Sequence, residues 1–161
     1  MEIDYDSVRD HVLNLLFERG ITIDDIAEIT YTVQKDYYDN LTMEDCLDCV
    51  NEVFRKPEAL NTVLTAVILD VSAEKGIIAG PLRTLILNNH PLYGIDEVLA
   101  YSLVNGYGSI GLTNYGYIDK KKIGILDKLS KDSKMCYTFV DDMIAGIAAS
   151  AASLIAKAKI L

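Results

Sequence analysis

The sequence predicts an all-α protein, a single-domain helical bundle with an apolar C-terminal helix at its centre. Apolar residues recur at helical spacing through most of the 161 residues, and no run shows the alternation of a strand. Thr22 and Thr42 suit helix N-caps, and Pro57 suits a first helical position. Gly20 and Gly76 suit helix ends.

In the first half of the chain, each predicted helix begins at a start signal and ends at a glycine or where the apolar spacing stops. In the second half, Pro81 opens a short helix that ends at the turn-forming residues 88–91. The last helix is rich in Ala, Ser and Gly and apolar nearly all round, which favours a central position. The predicted helices cover 7–19, 22–38, 42–54, 57–75, 81–88, 95–105, 123–129 and 139–159.

A Gly-rich and Tyr-rich stretch, residues 106–117, separates two of these helices. Its glycines either permit close helix approach or break the helix, and the sequence does not choose between them. The ten tyrosines of the chain suit helix contacts and subunit interfaces, which favours a homo-oligomer.

The composition is that of an ordinary globular domain, with 50% hydrophobic and 24% charged residues, and we expect one domain over residues 1–161. The opening residues are acidic and polar, unlike a secretion signal. The longest uncharged apolar run, 143–156, is too short to cross a bilayer, so we expect at most peripheral membrane contact. Three cysteines, an odd number, favour a reducing compartment, and a cytoplasmic protein is expected.

The net charge of −9 disfavours nucleic acid as a partner. The charge is unevenly spread, because residues 1–80 carry 17 acidic and 6 basic side chains, whereas residues 81–161 carry 7 acidic and 9 basic. Six lysines lie between positions 120 and 134. They form either a solvated face or a surface that attracts an anionic substrate.

Two acidic pairs, Asp96-Glu97 and Asp141-Asp142, each open an apolar helix. Helix capping or solvation explains either pair taken alone, because acidic residues complement the dipole at a helix start. Adjacent residues on a helix point about 100° apart, so at least one carboxylate of each pair should lie near the apolar side. Such a carboxylate needs a partner, and a shared Mg²⁺ takes the oxygen ligands that these side chains offer.

Three segments carry a resemblance to a known family. Residues 95–100 hold the Asp-Glu pair, residues 115–122 hold an aspartate followed by three lysines, and residues 140–146 read Val-Asp-Asp-Met-Ile-Ala-Gly. In this order they resemble the phosphatidylglycerophosphatase A family. The resemblance is strongest to its soluble branch in Gram-positive bacteria, which includes the low-temperature-requirement C protein. The resemblance to the soluble branch covers nearly the whole chain. The signatures shared with the wider family lie within residues 88–153.

The resemblance implies Mg²⁺-dependent removal of phosphate from phosphatidylglycerophosphate, a membrane lipid precursor, or from a related phosphate ester, with Mn²⁺ as an alternative ion. Lys122 is implied as the phosphate-binding residue. One carboxylate would act as general base, and the sequence does not say which. The residues implied as metal ligands and catalytic groups are Asp96, Glu97, Asp119, Asp141 and Asp142.

The sequence departs from the family pattern at three places. The membrane-embedded enzymes carry a Gly-Thr-x-Gly-Ser element, and nothing before Gly76 matches it. Gly116 stands where those enzymes often have an arginine, and the run 122–125 lacks both prolines of their Lys-Pro-x-Pro element. Two alternatives therefore stay open: an enzyme acting on a soluble ester, or a non-enzymatic cation-binding or regulatory protein on the same helical fold.

Three further motifs have ordinary structural interpretations. Cys46 and Cys49 have zinc-like spacing, but they lie in a predicted amphipathic helix where buried free thiols are favoured. His90 lies in a turn six residues before Asp96, either on the surface or within reach of the acidic site. The run 108–111 lacks the Gly-Lys-Ser/Thr ending that a phosphate-binding P-loop requires.

Overall fold

The helices of this protein assemble around the last one. The computed structural model describes residues 2–160, which form nine α-helices and one 3₁₀ turn and contain no strand. The all-α prediction is confirmed, although the predicted domain also includes residues 1 and 161, which lie outside the described residues. The elements are α1 (Tyr5–Glu18), α2 (Ile23–Gln34), α3 (Met43–Val53), α4 (Pro57–Glu74), α5 (Gly80–Leu87), α6 (Ile95–Val104), the 3₁₀ turn Asn105–Tyr107, α7 (Gly108–Lys121), α8 (Ile125–Lys131) and α9 (Val140–Ile160).

Helix α9 is buried over most of its length because its side chains are small and apolar. Between Val140 and Ala156 every residue except Leu154 is buried, and the helix contacts α2, α3, α4, α6, α7 and α8. Its buried hydroxyls are satisfied, since Ser150 Oγ donates to the Gly146 carbonyl at 2.8 Å and Ser153 Oγ donates to the Tyr107 carbonyl at 2.7 Å. The predicted central position of the C-terminal helix is therefore confirmed.

The predicted start signals are confirmed at three helices. Thr22 and Thr42 each form a capping box with the aspartate three residues later, and Pro57 occupies the first position of α4. These signals could be identified from sequence because each depends only on neighbouring residues.

Two predicted helices have different bounds in the structure. Helix α2 ends at Gln34 and not near Tyr38, because the buried stripe stops there and residues 35–37 form exposed turns. Helix α8 covers 125–131 and not 123–129, because Lys122 and Gly124 both have positive φ angles, 49° and 60°, that interrupt the helical path.

The Gly-rich stretch contains both a helix break and a close approach. Gly108, with φ of 78°, separates the 3₁₀ turn from α7. A Cβ atom at Gly111 would lie 3.2 Å from Val104 Cγ1, and one at Gly146 would lie 3.3 Å from Val104 Cγ2. These contacts bring α6, α7 and α9 together, and those helices carry the three acidic motifs.

Within residues 2–160, no helix combines the length and the apolar character needed to cross a bilayer.

Candidate functional site

The three acidic motifs meet at one end of the bundle. The starts of α6 and α9 and the end of α7 line a cleft of about 110 Å³, together with the turn before α6. All five predicted carboxylates and the predicted phosphate-binding lysine lie there. The lining residues are Asn89, His90, Pro91, Gly94, Asp96, Glu97, Asp119, Lys122, Asp141 and Asp142.

Helix α6 supplies Asp96 and Glu97 from its first turn. Gly94 caps the helix in the left-handed conformation, with φ of 76°, which lets the chain turn sharply into α6. Asp96 is buried, whereas Glu97 is exposed at the cleft. The expectation that one carboxylate of this pair faces the apolar side is confirmed.

Helix α7 ends at the cleft with Asp119 and Lys122. The Lys122 ammonium donates to Asp119 Oδ1 at 2.7 Å and to Asp141 Oδ2 at 2.9 Å. Burial alone would lower the pKa of Lys122, but the neighbouring Asp141 and Asp119 carboxylates raise it above its ordinary value. Lys122 therefore serves here as the cation between two helices, held at a left-handed backbone position that side chains rarely adopt.

Helix α9 supplies Asp141 and Asp142 from its first turn, and both carboxylates are buried. Burial raises the pKa of Asp141 despite its ion pair with Lys122. Burial, and then the nearby Asp141, Asp119 and Asp96 carboxylates, raise the pKa of Asp142 to about 9. The cleft thus contains more negative groups than its single lysine balances.

Two polar atoms near these carboxylates have no hydrogen-bond partner in the described part of the chain. Asp96 Oδ1 is buried and accepts no hydrogen bond. The hydroxyl of Tyr115 is also buried and forms no hydrogen bond. The Tyr115 side chain faces Asp142, and burial followed by that carboxylate raises the pKa of the phenol. Buried polar groups are nearly always paired, so an unpaired carboxylate oxygen in a cleft suggests a missing ligand.

The donor set suits a hard divalent cation in its chemistry. Mg²⁺ is usually held by one or two carboxylates, with water and phosphate oxygens completing the octahedron, and the unpartnered Asp96 Oδ1 offers one such oxygen. However, no three Asp, Glu, His or Cys side chains among residues 2–160 form a ready ligand set. The carboxylate oxygens of the cleft are therefore suitable ligands for Mg²⁺, and Lys122 already neutralises part of their negative charge.

The turn before α6 forms one wall of the cleft. His90 lies in this wall and is exposed, and its Nδ1 accepts the backbone N–H of Leu92 at 3.3 Å. Tyr93 fixes the turn to the rest of the molecule, because its ring packs edge-on against Phe139 at 5.7 Å between centroids. Both sequence interpretations of His90 are therefore correct, since it is a surface turn residue that also lines the site.

A residue that the sequence analysis missed, Asp70 of α4, holds the start of α9 in place. Its carboxylate accepts the backbone N–H of Phe139 at 3.0 Å and that of Val140 at 2.9 Å, directly before Asp141. The side chain is fully buried, and this burial raises its pKa to about 7 although those N–H groups, the Cys136 thiol and Arg19 favour the charged form. One local signal was present, because Asp70 interrupts the apolar stripe of α4.

Arg19 and Glu74 fasten the segment that leads into α9. The Arg19 guanidinium pairs with Glu74 Oε1 at 2.8 Å and also donates to the Cys136 carbonyl. Glu74 accepts the Cys136 backbone N–H at 2.5 Å, and Tyr137 donates its hydroxyl to the Arg19 carbonyl at 3.1 Å. This network links α1 and α4 to the residues that precede Asp141, so it positions the cleft without lining it.

The Cys46 and Cys49 pair lies away from the cleft on α3. Cys46 is buried and Cys49 half-buried, and neither forms a disulfide within residues 2–160. Burial raises the pKa of the Cys46 thiol to about 12, which keeps it neutral.

Known proteins are similar to this chain in sequence and fold. YutG of Bacillus subtilis strain 168 is 49% identical over 140 residues, which cover 86% of this chain and 84% of YutG. YpjQ of the same organism is 46% identical over 143 residues, covering 89% of this chain and 81% of YpjQ. The crystal structure of YpjQ superposes with a TM-score of 0.95 and 42% identity, over 98% of both chains.

The low temperature requirement C protein from Listeria monocytogenes has a similar crystal structure. It superposes with a TM-score of 0.92 at 48% identity, over 96% of this chain and 98% of the Listeria chain. The sequence pattern of the phosphatidylglycerophosphatase A family matches residues 12–157, which include all three acidic motifs and the helices that support them. The chain therefore belongs to the phosphatidylglycerophosphatase A family.

Proposed function

We propose that this protein is a metal-dependent phosphatase that hydrolyses phosphatidylglycerophosphate or a related phosphate monoester of lipid metabolism. The observation that carries the proposal is the cleft where carboxylates of α6, α7 and α9 meet, one of them with an unpartnered buried oxygen. Membership of the phosphatidylglycerophosphatase A family supports a phosphatase-like activity.

The buried carboxylates are proposed to hold the ion. Mg²⁺, or Mn²⁺ in its place, would offset the phosphate charge and lower the pKa of an attacking water. Asp96, Asp141 and Asp142 are the candidates with least competition from solvent, because they are buried at the cleft. Asp119 and the exposed Glu97 complete the proposed set at its edge.

Phosphate binding is assigned to Lys122 and to two helix starts. The first turn of α6 brings backbone N–H groups to the cleft, and α6 and α9 both bring the positive ends of their helix dipoles. The N–H groups of Phe139 and Val140 at the start of α9 are already bound by Asp70. Lys122 now pairs with Asp119 and Asp141, and the proposal requires its ammonium to turn toward the phosphate when the substrate enters.

The proposed reaction is a hydrolysis that balances without another reactant. The water oxygen forms a bond to phosphorus, and the bond between phosphorus and the ester oxygen breaks. A carboxylate of the cleft takes the proton from water, and the leaving alkoxide receives a proton to become the alcohol. The products are one alcohol and inorganic phosphate.

The test is phosphate release from phosphatidylglycerophosphate and from a panel of soluble phosphate monoesters, with Mg²⁺ or Mn²⁺. We expect activity with at least one substrate and a loss of about a hundredfold or more in Asp141→Asn. The matched control is Asp127→Asn, since Asp127 is an exposed carboxylate of α8 that also pairs with a lysine. Activity absent throughout, or equal in the two variants, would contradict the proposal.

A second candidate, a non-enzymatic cation-binding or regulatory protein, is favoured by one observation. Lys122 already bridges Asp119 and Asp141, so this part of the site is satisfied without a metal. Calorimetric titration with Mg²⁺ separates the two candidates. Binding that Asp96→Asn abolishes, without phosphate release from any ester, would favour this second function.

Self-association also stays a prediction. Light scattering of the purified protein measures it, and a monomer at all concentrations would contradict it.

A further inference from the structure

Exposed apolar side chains lie on the turn and the helix that form one wall of the acidic cleft. Leu92, in the turn that forms one wall, is 88% exposed, and Ile95 and Val98 of α6 are 55% and 59% exposed. Ile95 and Val98 are three residues apart on one helix, so they share a face beside Asp96 and Glu97. Because Tyr93 is fixed against Phe139 and Leu92 is bonded to His90, the turn holds Leu92 outward.

A second small cleft adjoins the acidic cleft. Its volume is about 130 Å³, and it shares Asn89 and Asp141 with the acidic cleft. Leu87 and Met135 line it, and both are exposed. We name the whole set the apolar rim: Leu87, Leu92, Ile95, Val98 and Met135.

Lysines accompany the apolar rim. Lys120 and Lys121 are exposed beside Asp119 at the end of α7, and Lys134 is exposed next to Met135. The first half of the chain is more acidic, with 17 acidic and 6 basic side chains in residues 1–80. Apolar side chains flanked by lysines match the surface of an anionic bilayer, whereas the acidic half would be repelled by it.

We propose that the apolar rim docks on the surface of an anionic lipid bilayer and brings the cleft to a lipid phosphate headgroup. This inference rests on the proposed function, because it identifies how a chain without a membrane-crossing helix in residues 2–160 reaches a lipid substrate. The leucine, isoleucine and valine side chains enter the interface between headgroups and acyl chains. The lysines contact anionic headgroups around them.

A second copy of the chain is the main competing occupant, and charge disfavours it. Two copies joined symmetrically across this face would bring two sets of exposed lysines toward each other. A bilayer offers apolar tails and negative charge at once, which complements both components of the rim.

The experiment is vesicle flotation with the full chain, comparing phosphatidylcholine vesicles that contain phosphatidylglycerol with vesicles of phosphatidylcholine alone. The rim variant is the double substitution Leu92→Ser and Val98→Ser. The control is Tyr37→Ser and Ile110→Ser, since these two exposed side chains line a groove with Ala156 at the opposite end of α9. Circular dichroism establishes that both variants are folded.

We expect the wild type and the control to bind vesicles that contain phosphatidylglycerol, and the rim variant to bind them at least about tenfold more weakly. Absence of wild-type binding, or equal binding by both variants, overturns the proposal. A wild-type dimer that the rim variant dissociates, with no vesicle binding by either, also overturns it in favour of a second copy.

Failure of the proposed function gives a different result. Phosphate release from soluble esters, measured on the same wild-type preparation, needs no vesicle. If that activity is present while vesicle binding is absent, the docking proposal fails alone. If vesicle binding depends on the rim while every ester remains intact, the phosphatase proposal fails and the docking surface stands.

Discussion

Asp70 and the buried carboxylates of the cleft both lie at the start of α9, and they differ in the hydrogen bonds that they receive. Asp70 accepts hydrogen bonds from the backbone N–H groups of Phe139 and Val140, and Arg19 adds positive charge nearby. In the cleft, Asp96 Oδ1 has no donor among the described residues, and burial followed by the neighbouring carboxylates raises the pKa of Asp142 to about 9. A buried carboxylate that the protein itself satisfies builds structure, whereas one left unsatisfied in a cleft is prepared for a ligand.

The largest expected effect separates catalysis from stability at the cleft. Asp142→Asn should reduce phosphate release by about a hundredfold or more. The free energy of unfolding without metal should not fall near neutral pH, because a pKa of about 9 keeps the Asp142 side chain protonated and neutral, as asparagine is. Phosphate release and urea denaturation measure the two quantities. A large fall in stability with unchanged activity would show that Asp142, like Asp70, stabilises the fold and takes no part in the reaction.

The converse is expected at Asp70. Asp70→Ala should lower the free energy of unfolding by about 2–4 kcal/mol, because two buried N–H groups lose their acceptor. Urea denaturation measures this, with Asp127→Ala as the control, which should change stability by less than about 0.5 kcal/mol. Equal stabilities of the two variants would show that the Asp70 hydrogen bonds contribute nothing.

Addition of Mg²⁺ should also distinguish Asp70 from the carboxylates of the cleft. Mg²⁺ at about 100 times its dissociation constant should stabilise the wild type by about 2.7 kcal/mol, which raises its melting temperature by several degrees. Asp96→Asn should lose most of this response, whereas Asp70→Asn should keep it although Asp70 lies close to the start of α9. Thermal unfolding with and without Mg²⁺ provides the measurement. Loss of the response in both variants would mean that the two groups are not independent.

A pH dependence of stability also belongs to Asp70. Its pKa is raised from 3.8 to about 7, so the folded protein binds more protons than the unfolded chain between these values. Stability contributed by the protonated group is therefore lost as the pH rises through this range, by at most about 1.4 kcal/mol per pH unit. Arg19 and the Cys136 thiol, which face Asp70, keep their charge states there, since burial raises the pKa of that thiol to about 11.

The difference in unfolding free energy between the wild type and Asp70→Asn isolates this contribution from the cleft carboxylates, which titrate in both proteins. A difference that does not change with pH over that range would show that folding does not raise the pKa of Asp70.

The fold and the positions of the acidic pairs could be predicted because their signals are local. Thr22, Thr42 and Pro57 mark helix starts through contacts within one turn, and the apolar character of α9 predicts its central position. The two acidic pairs were identified in the same way. Their convergence was expected through the family resemblance, since nothing local relates residue 96 to residue 141.

The contributions of Asp70 and Lys122 depend on distant partners, which explains why sequence reasoning did not find them. Asp70 accepts hydrogen bonds from Phe139 and Val140, which lie 69 and 70 positions further along the chain. Lys122 was predicted to bind phosphate, a role that stays a prediction, and its pairing with Asp141 depends on how α7 packs against α9. Contacts of this kind follow from tertiary packing and not from local pattern.

The most direct test of the account is a crystal structure of the protein soaked with Mn²⁺ and a phosphate analogue, in which the anomalous signal locates the ion. We predict Mn²⁺ in the cleft, with Asp96 Oδ1 among its ligands and the phosphate analogue beside the starts of α6 and α9. A cleft without Mn²⁺, in which Lys122 still bridges Asp119 and Asp141 and Asp96 Oδ1 remains unpartnered, would contradict the claim that these carboxylates form a metal site.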